Sequence, residues 1–401
     1  DAFAVRPPSF STVTSTANAD SSGASATNSP TIKTGAAFTL TANTGTPGYD
    51  AAPNVDSTKV QWPTPPANGR SGSGAGTLTG FFSTPAASAN GNNANGTNFA
   101  YDEVGYFQFA AGGVYDPSYA GWSGDVGNGD CVANSYSNTV DPSGKYGCLI
   151  ANTAATNHFG RFIPDHFDSA ITAGCAPGAF TYSDQAFKLT ITARNSSNAK
   201  TLNYSQGFAR AVALTDVNVA GGTLAPLSLA NTLFKGGETD STVTARYFFT
   251  RGVPEHAPAS VKVRASDPDG VTSSGSAVED STEIRVGRLW IGNAYGKVGK
   301  ILTLPYQLQY WNGKAFVLNT NDSCTPLDKV NIALNNFQGL VAGSIPTASI
   351  GVSGTANGKG AITLPASNVA GSVDVVPRLD TGTPNICPTG STWTPNPAGT
   401  P

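Results

Sequence analysis

The segment DQAFKLTITARNSSNAKTLNY, residues 184–204, alternates apolar and polar side chains from Phe187 to Arg194 and then breaks into a run of Asn, Ser and Ala. Side chains of an extended chain alternate between two faces, so this pattern reads as a half-buried β-strand followed by a polar turn. An earlier segment, GAAFTLTANTGTPGY at 35–49, echoes it: an aromatic-led strand, a polar turn, and a closing tyrosine, Tyr49 against Tyr204. Such an echo implies two copies of one β-domain with different insertions.

Period-two alternation recurs along the chain at 37–42, 99–111, 209–215, 243–249, 260–266, 282–292 and 304–311, each run bounded by Gly, Pro, Asn, Asp or Ser. Short strands separated by turn residues predict an all-β protein of tandem immunoglobulin-like antiparallel sandwiches. Helical periodicity is nearly absent, with only a hint at 328–340. Three units are expected: 1–160 with an extended N-terminal arm and long loops, 168–272, and 279–401 with a Pro/Thr-rich tail. The third carries a hairpin signal at Tyr310–Gly313, where Asn-Gly supplies the turn.

Composition narrows the function. Only 12% of the 401 residues are charged, against ~25% in ordinary soluble domains, and the net charge is −3. No basic stripe marks a nucleic-acid partner, and no apolar run reaches the ~18 residues of a membrane span. The sequence contains no Met and opens on no signal-peptide pattern, so Asp1 reads as a processed or trimmed start.

The five cysteines form no CxxC pair, which removes support for zinc ribbons and thioredoxin-like chemistry. Cys131 and Cys148 flank a Gly/Asn/Ser/Asp-rich loop, and a disulfide there contributes roughly 3 kcal/mol in the loop-entropy model. Cys324 and Cys387 are expected to join the two ends of the last unit. Cys175 is left free or paired outside this stretch. Five buried thiols in a reducing compartment are the alternative, and the loop-rich surroundings of these cysteines argue against it.

Chemistry has few footholds. NHFGRFIPDHF, residues 157–167, gathers His158 and His166 around Arg161 and Asp165. An extended run would hold the two histidines ~25 Å apart, too far for a shared metal. The segment reads as an inter-domain joint filled by Phe159, Phe162, Ile163 and Phe167, with Arg161 and Asp165 pairing or bonding exposed backbone. Asp267 and Asp269, in SDPDG at the second joint, suggest a calcium loop but also fit an ordinary turn. No other cofactor is indicated, and no GxSxG, HExxH or P-loop pattern occurs, so the chain is expected not to be an enzyme. Trp290 and Trp311 read as core residues, whereas Trp122 is the better candidate for a glycan-binding face.

The motifs DAFAVRPPSF (1–10), HFGRFIPDHF (158–167), ITARNSSNAKTLNY (191–204), IRVGRLWIGNAYG (284–296) and LPYQLQYWNGKAFVLNTNDSCT (304–325) carry a family resemblance. In this order they resemble the C-terminal half of bacterial MshQ-like proteins, accessory proteins of the mannose-sensitive haemagglutinin type IV pilus. The resemblance runs from Asp1 to about Asp374. In that family this region follows a lectin-like laminin-G domain. The resemblance implies a secreted or cell-surface β-domain protein of a Gram-negative bacterium, and it brings no catalytic residues with it.

Two function classes follow. One is a pilus-associated component or fibre subunit that contacts other copies of itself, pilus subunits or cell-surface glycans. The other is a secreted polysaccharide-binding module or carbohydrate-active enzyme on a sandwich scaffold. For the first, Phe3, Val5 and Phe10 on the arm 1–15 are the candidate residues for pairing with a sheet edge, its own or a neighbour's.

Overall fold

The computed structural model describes residues 5–17, 19–20, 31–62, 76–83, 93–121, 129–205, 207–276, 278–340 and 344–377. Over these residues the chain is all-β, with short 3-10 turns and three separate hydrophobic cores.

In the first sandwich one sheet runs Thr12–Ser15, Phe38–Asn43, Asn93–Tyr101, Leu78–Thr79. The other runs Ala19–Asp20, His158–Ile163, Gly105–Phe109, Val60–Gln61, with Ile32–Lys33 added in parallel to His158–Ile163. Alternate residues Phe38, Leu40 and Ala42 face inward against Phe99, Phe107, Phe159 and Phe162. The expected run 99–111 is therefore two strands in opposite sheets. The chain changes sheets across Asp102–Val104, and Gly105 follows with φ +103°, a conformation that favours glycine.

The second sandwich places Ala186–Arg194 at the centre of one sheet. His166–Thr172 and Thr244–Phe248 both pair with it. The facing sheet contains Phe180–Tyr182, Ser281–Arg285, Ala259–Ser266 and Val212–Asp216. Phe187, Leu189, Ile191 and Ala193, read as one face from the sequence, are all buried in this core. Ile284 and Val286 belong to the same core, so the second sandwich runs on through Val286 and does not end at residue 272. The stretch 282–292 looks continuous in sequence because alternation continues while the strand changes domain. The break falls at Gly287, where a Cβ would come within 2.5 Å of the Tyr182 ring.

The third sandwich sets Gly287–Ile291, Leu302–Trp311, Phe316–Leu318, Lys359–Leu364 and Gly351–Val352 in one sheet. Its opposing sheet is the pair Ile332–Gln338 and Ser372–Pro377, so the helical hint at 328–340 resolves into a 3-10 turn and a strand. The Tyr310–Gly313 hairpin forms, with Trp311 opposite Phe316 and the Asn312 side chain accepting from the amides of Lys314 and Ala315.

The internal echo extends to side-chain contacts. Phe10 meets Tyr49 edge-on at 5.5 Å, and Tyr49 donates to Asp116 at 2.9 Å. In the second copy Phe167 meets Tyr204 edge-on at 5.5 Å, and Tyr204 donates to Asp267 at 3.4 Å. Both aspartates precede a proline and cap their own turn two residues on.

Candidate functional site

The groups put forward from the sequence collect at the two joints between sandwiches. At the first joint Arg161, on the last strand of the first sandwich, is 3% exposed and donates two bonds to Asp269 of the second, at 2.7 and 2.6 Å. Arg210 adds a cation 3.7 Å from the same carboxylate. Burial opposes ionisation of Asp269, but the bond and charge from Arg161 hold it below the ordinary carboxylate range.

Asp267 accepts from the amides of Asp269 and Val271 and from the Tyr204 hydroxyl. The calcium reading of Asp267 and Asp269 is therefore corrected. One carboxylate is saturated by a guanidinium that would repel a cation, and the other closes its own turn. Arg161 was expected to pair with Asp165 or backbone. Asp165 instead accepts from His166 Nδ1 at 2.9 Å and lies 3.8 Å from Lys33.

The histidines are divided between sandwiches. His158 sits on a strand paired with Ala19–Asp20, and His166 opens the strand paired with Ala186–Arg194. Around His166, Asp168 receives Arg194 at 2.7 Å and the Ser276 hydroxyl. That serine bonds a carboxylate and not the imidazole, so the cluster lacks the nucleophile–base contact of acyl-transfer chemistry.

Glu103 is a joint residue that sequence reading missed. It is 8% exposed, and its carboxylate accepts from the amides of Val104, Asn203 and Leu202 at 2.9, 3.1 and 2.9 Å, the last two across the joint. Burial pushes Glu103 up to about 7 against these amides, and likewise raises Asp267 to about 6. A carboxyl whose pKa is raised on folding stabilises the fold while protonated and withdraws that support as pH climbs through the folded value. From an ordinary 4.5 to about 7 the change is worth up to about 3 kcal/mol. Thermal unfolding is thus expected to shift to lower temperature between pH 5 and 8, with Glu103→Gln flattening the dependence. An unchanged slope in that variant would remove Glu103 as its source.

At the second joint Cys175 of the second sandwich is bonded to Cys324 of the third. The expected Cys324–Cys387 pairing is thereby corrected, and Cys387 lies outside the described residues. Spacing favoured a closure within the last unit, but the turn before Phe180–Tyr182 brings Cys175 against the loop after Phe316–Leu318. Beside the disulfide, Tyr182 donates to Asp322 at 2.8 Å, and Asn319 bridges Tyr182 and Arg285 at 2.8 and 2.6 Å. Cys175, Cys324 and Asp322 have metal-ligating atoms within 4.8 Å of one another. The disulfide consumes both sulfurs, so the cluster acts as a latch.

Cys131 and Cys148 form a disulfide. Arg6 clamps the loop between them, donating to the carbonyls of Gly147 and Ser137 at 2.8 and 3.0 Å. The proposed arm is partly absorbed into the first sandwich: Phe10 is 3% exposed, and Thr12–Ser15 pairs with Phe38–Asn43. Of the arm's named residues Val5 is exposed, and Phe3, like Trp122, lies outside the described residues. Trp290, expected in the core, is 40% exposed, while Trp311 packs partly against the second core.

Fold and joints together define an all-β protein of tandem sandwiches, with one disulfide closing a loop of the first and another joining the second to the third. Residues 103–291 match the third domain of DUF6701 and residues 285–396 its fourth, together most of the chain, which belongs to this family. No characterised protein sequence matches it. Among solved structures, the protocadherin gammaB4 extracellular domain aligns at 10% identity with a TM-score of 0.23. That alignment covers 86% of this chain and 46% of the other, so the chain spans less than half of that structure's length. Among the described residues no helix is long and apolar enough to cross a membrane.

Proposed function

We propose that the chain is a secreted or cell-surface structural protein, a pilus-associated component or subunit of an extracellular fibre that works through contacts with other subunits or with surfaces. The reading is supported above all by how the joints are built. An ion pair ties the first sandwich to the second and a disulfide ties the second to the third, so the Arg161, Asp269, Tyr182 and Asp322 side chains are spent on holding the joints. Low charge, which lets surfaces associate, and the MshQ-like motifs point the same way.

Of the arm 1–15, only the residues upstream of Arg6 are left to reach a neighbouring subunit, since Arg6 clamps the 131–148 loop and Phe10 and the strand after it complete the chain's own first sandwich. Removing residues 1–5 is expected to abolish assembly, seen by negative-stain microscopy, while the circular dichroism of the sandwiches persists. The proposal fails if the truncated protein still forms fibres. It also fails if the native protein stays monomeric at every concentration and binds no cell surface.

A further inference from the structure

Trp290 lies on the edge strand Gly287–Ile291, where Leu289 and Ile291 turn inward onto the third core and Trp290 turns outward, 40% exposed. A tryptophan left in solvent forgoes one of the largest burial gains available to a side chain. Its ring does not stand off the sheet. A Cβ at Gly292 would sit 2.8 Å from the far edge of the indole and 3.1 Å from Pro305, so the ring leans along the sheet over a glycine that leaves room for it.

Polar side chains stand beside it in register. Gln307 is opposite Trp290 on one side and Lys359 on the other, while Arg288 is opposite Gln309. Arg288 Nε donates to Gln309 at 2.8 Å, and Gln309 passes its own amide on to Gln307 at 3.0 Å. Arg288 also lies 4.0 Å above the Phe316 ring. These contacts fix the polar groups before any ligand arrives, and the amino group of Gln307 and the terminal nitrogens of Arg288 are left as outward donors. The strands Gly287–Ile291, Leu302–Trp311, Phe316–Leu318 and Lys359–Leu364 contain no carboxylate, so Arg288 and Lys359 give the face a positive charge on a chain of net charge −3.

We propose that this outer face of the third sandwich is a saccharide-binding platform and that its ligand is an acidic polysaccharide. A sugar ring offers a C–H face to the indole and hydroxyls that both donate and accept, matching the paired glutamine amides. The two cations match a carboxylate or sulfate substituent. From Trp290 to Lys359 the face crosses two strand spacings, about 10 Å. A protein partner of standard size would instead call for several apolar anchors packed at the centre of the contact. Here Trp290 is the one large exposed ring on these strands, with Pro305 beside it and a row of polar side chains, Arg288, Gln309, Gln307 and Lys359, along the face. The platform stands apart from the structural role proposed above, since a fibre subunit or a free module can carry it.

The test is affinity electrophoresis of the soluble full chain in gels containing alginate, dextran sulfate or neutral dextran. Retardation by alginate or dextran sulfate but not dextran is expected, and which of the two acts identifies the acidic group. Trp290→Ala should weaken binding at least tenfold, and Gln307→Ala should weaken it less, with both variants keeping the native circular dichroism spectrum. Simple ion exchange would leave Trp290→Ala unaffected and would overturn the proposal. So would absence of retardation in all three gels. A concentration-dependent dimer in sedimentation velocity that Trp290→Ala abolishes would assign the face to self-association instead.

Discussion

Asp269→Ala is expected to destabilise the chain by about 3–5 kcal/mol, far more than removal of a surface charge. The Arg161 side chain is 4% exposed and Asp269 is 11% exposed, so the guanidinium cannot turn to bulk water when its bidentate acceptor is lost. Arg210, at 3.7 Å from the same carboxylate, loses that contact too. The pair bridges two separately packed cores, so the loss should also appear as reduced coupling. A single calorimetric transition for the first two sandwiches should split into two. Replacing both partners, Arg161→Met with Asp269→Leu, should recover most of the loss, because such a swap removes both buried charges at once. A loss below about 1 kcal/mol in Asp269→Ala would show that the ion pair adds little to the joint.

The strands that alternate strictly were legible in the sequence. Phe187 to Arg194 and Phe38 to Asn43 are each half-buried, and one face of such a strand must be apolar. The echo between the two copies was legible as well, and its tyrosines proved to hold equivalent Phe–Tyr–Asp contacts. Where the chain changes sheet or domain without interrupting alternation, the sequence is silent. Asp102–Val104 and Val286–Gly287 are such places, and both displaced the expected boundaries. The site residues were harder. GRFIPDHF was readable as the passage from one sandwich to the next, but its apolar residues do not fill the joint as a group: Phe159 and Phe162 face the first core, while Ile163 and Phe167 join the second. The partner of Arg161 lies 108 residues away, and nothing local encodes that distance. Glu103 and Trp290 sit in strand-like sequence whose facing depends on which sheet closes over them. The pairing of Cys175 with Cys324 depends on how the third sandwich docks, a property of the assembled fold.

The Cys175–Cys324 disulfide should carry the largest single effect. Its closed loop spans 149 residues, and the loop-entropy model assigns about 5 kcal/mol to such a crosslink when the whole chain unfolds. The third sandwich has its own core, however, and can unfold while the second persists. Cys175 is then held in place, and the effective loop shrinks to the roughly 40 residues between Gly287 and Cys324, worth about 4 kcal/mol. The double substitution Cys175→Ser with Cys324→Ser should therefore lower the third sandwich's transition by nearly as much as it lowers global stability, leaving the first two sandwiches unchanged. The Tyr182–Asp322–Asn319–Arg285 contacts remain in that variant, but such polar bonds contribute only about 1 kcal/mol each and are exposed once the sandwiches separate. Small-angle scattering should then report a broader distribution of distances, and protease cleavage should concentrate near Val286 and Gly287. Equal stability of the native and serine forms, with identical scattering, would mean that packing and hydrogen bonds alone hold the second joint.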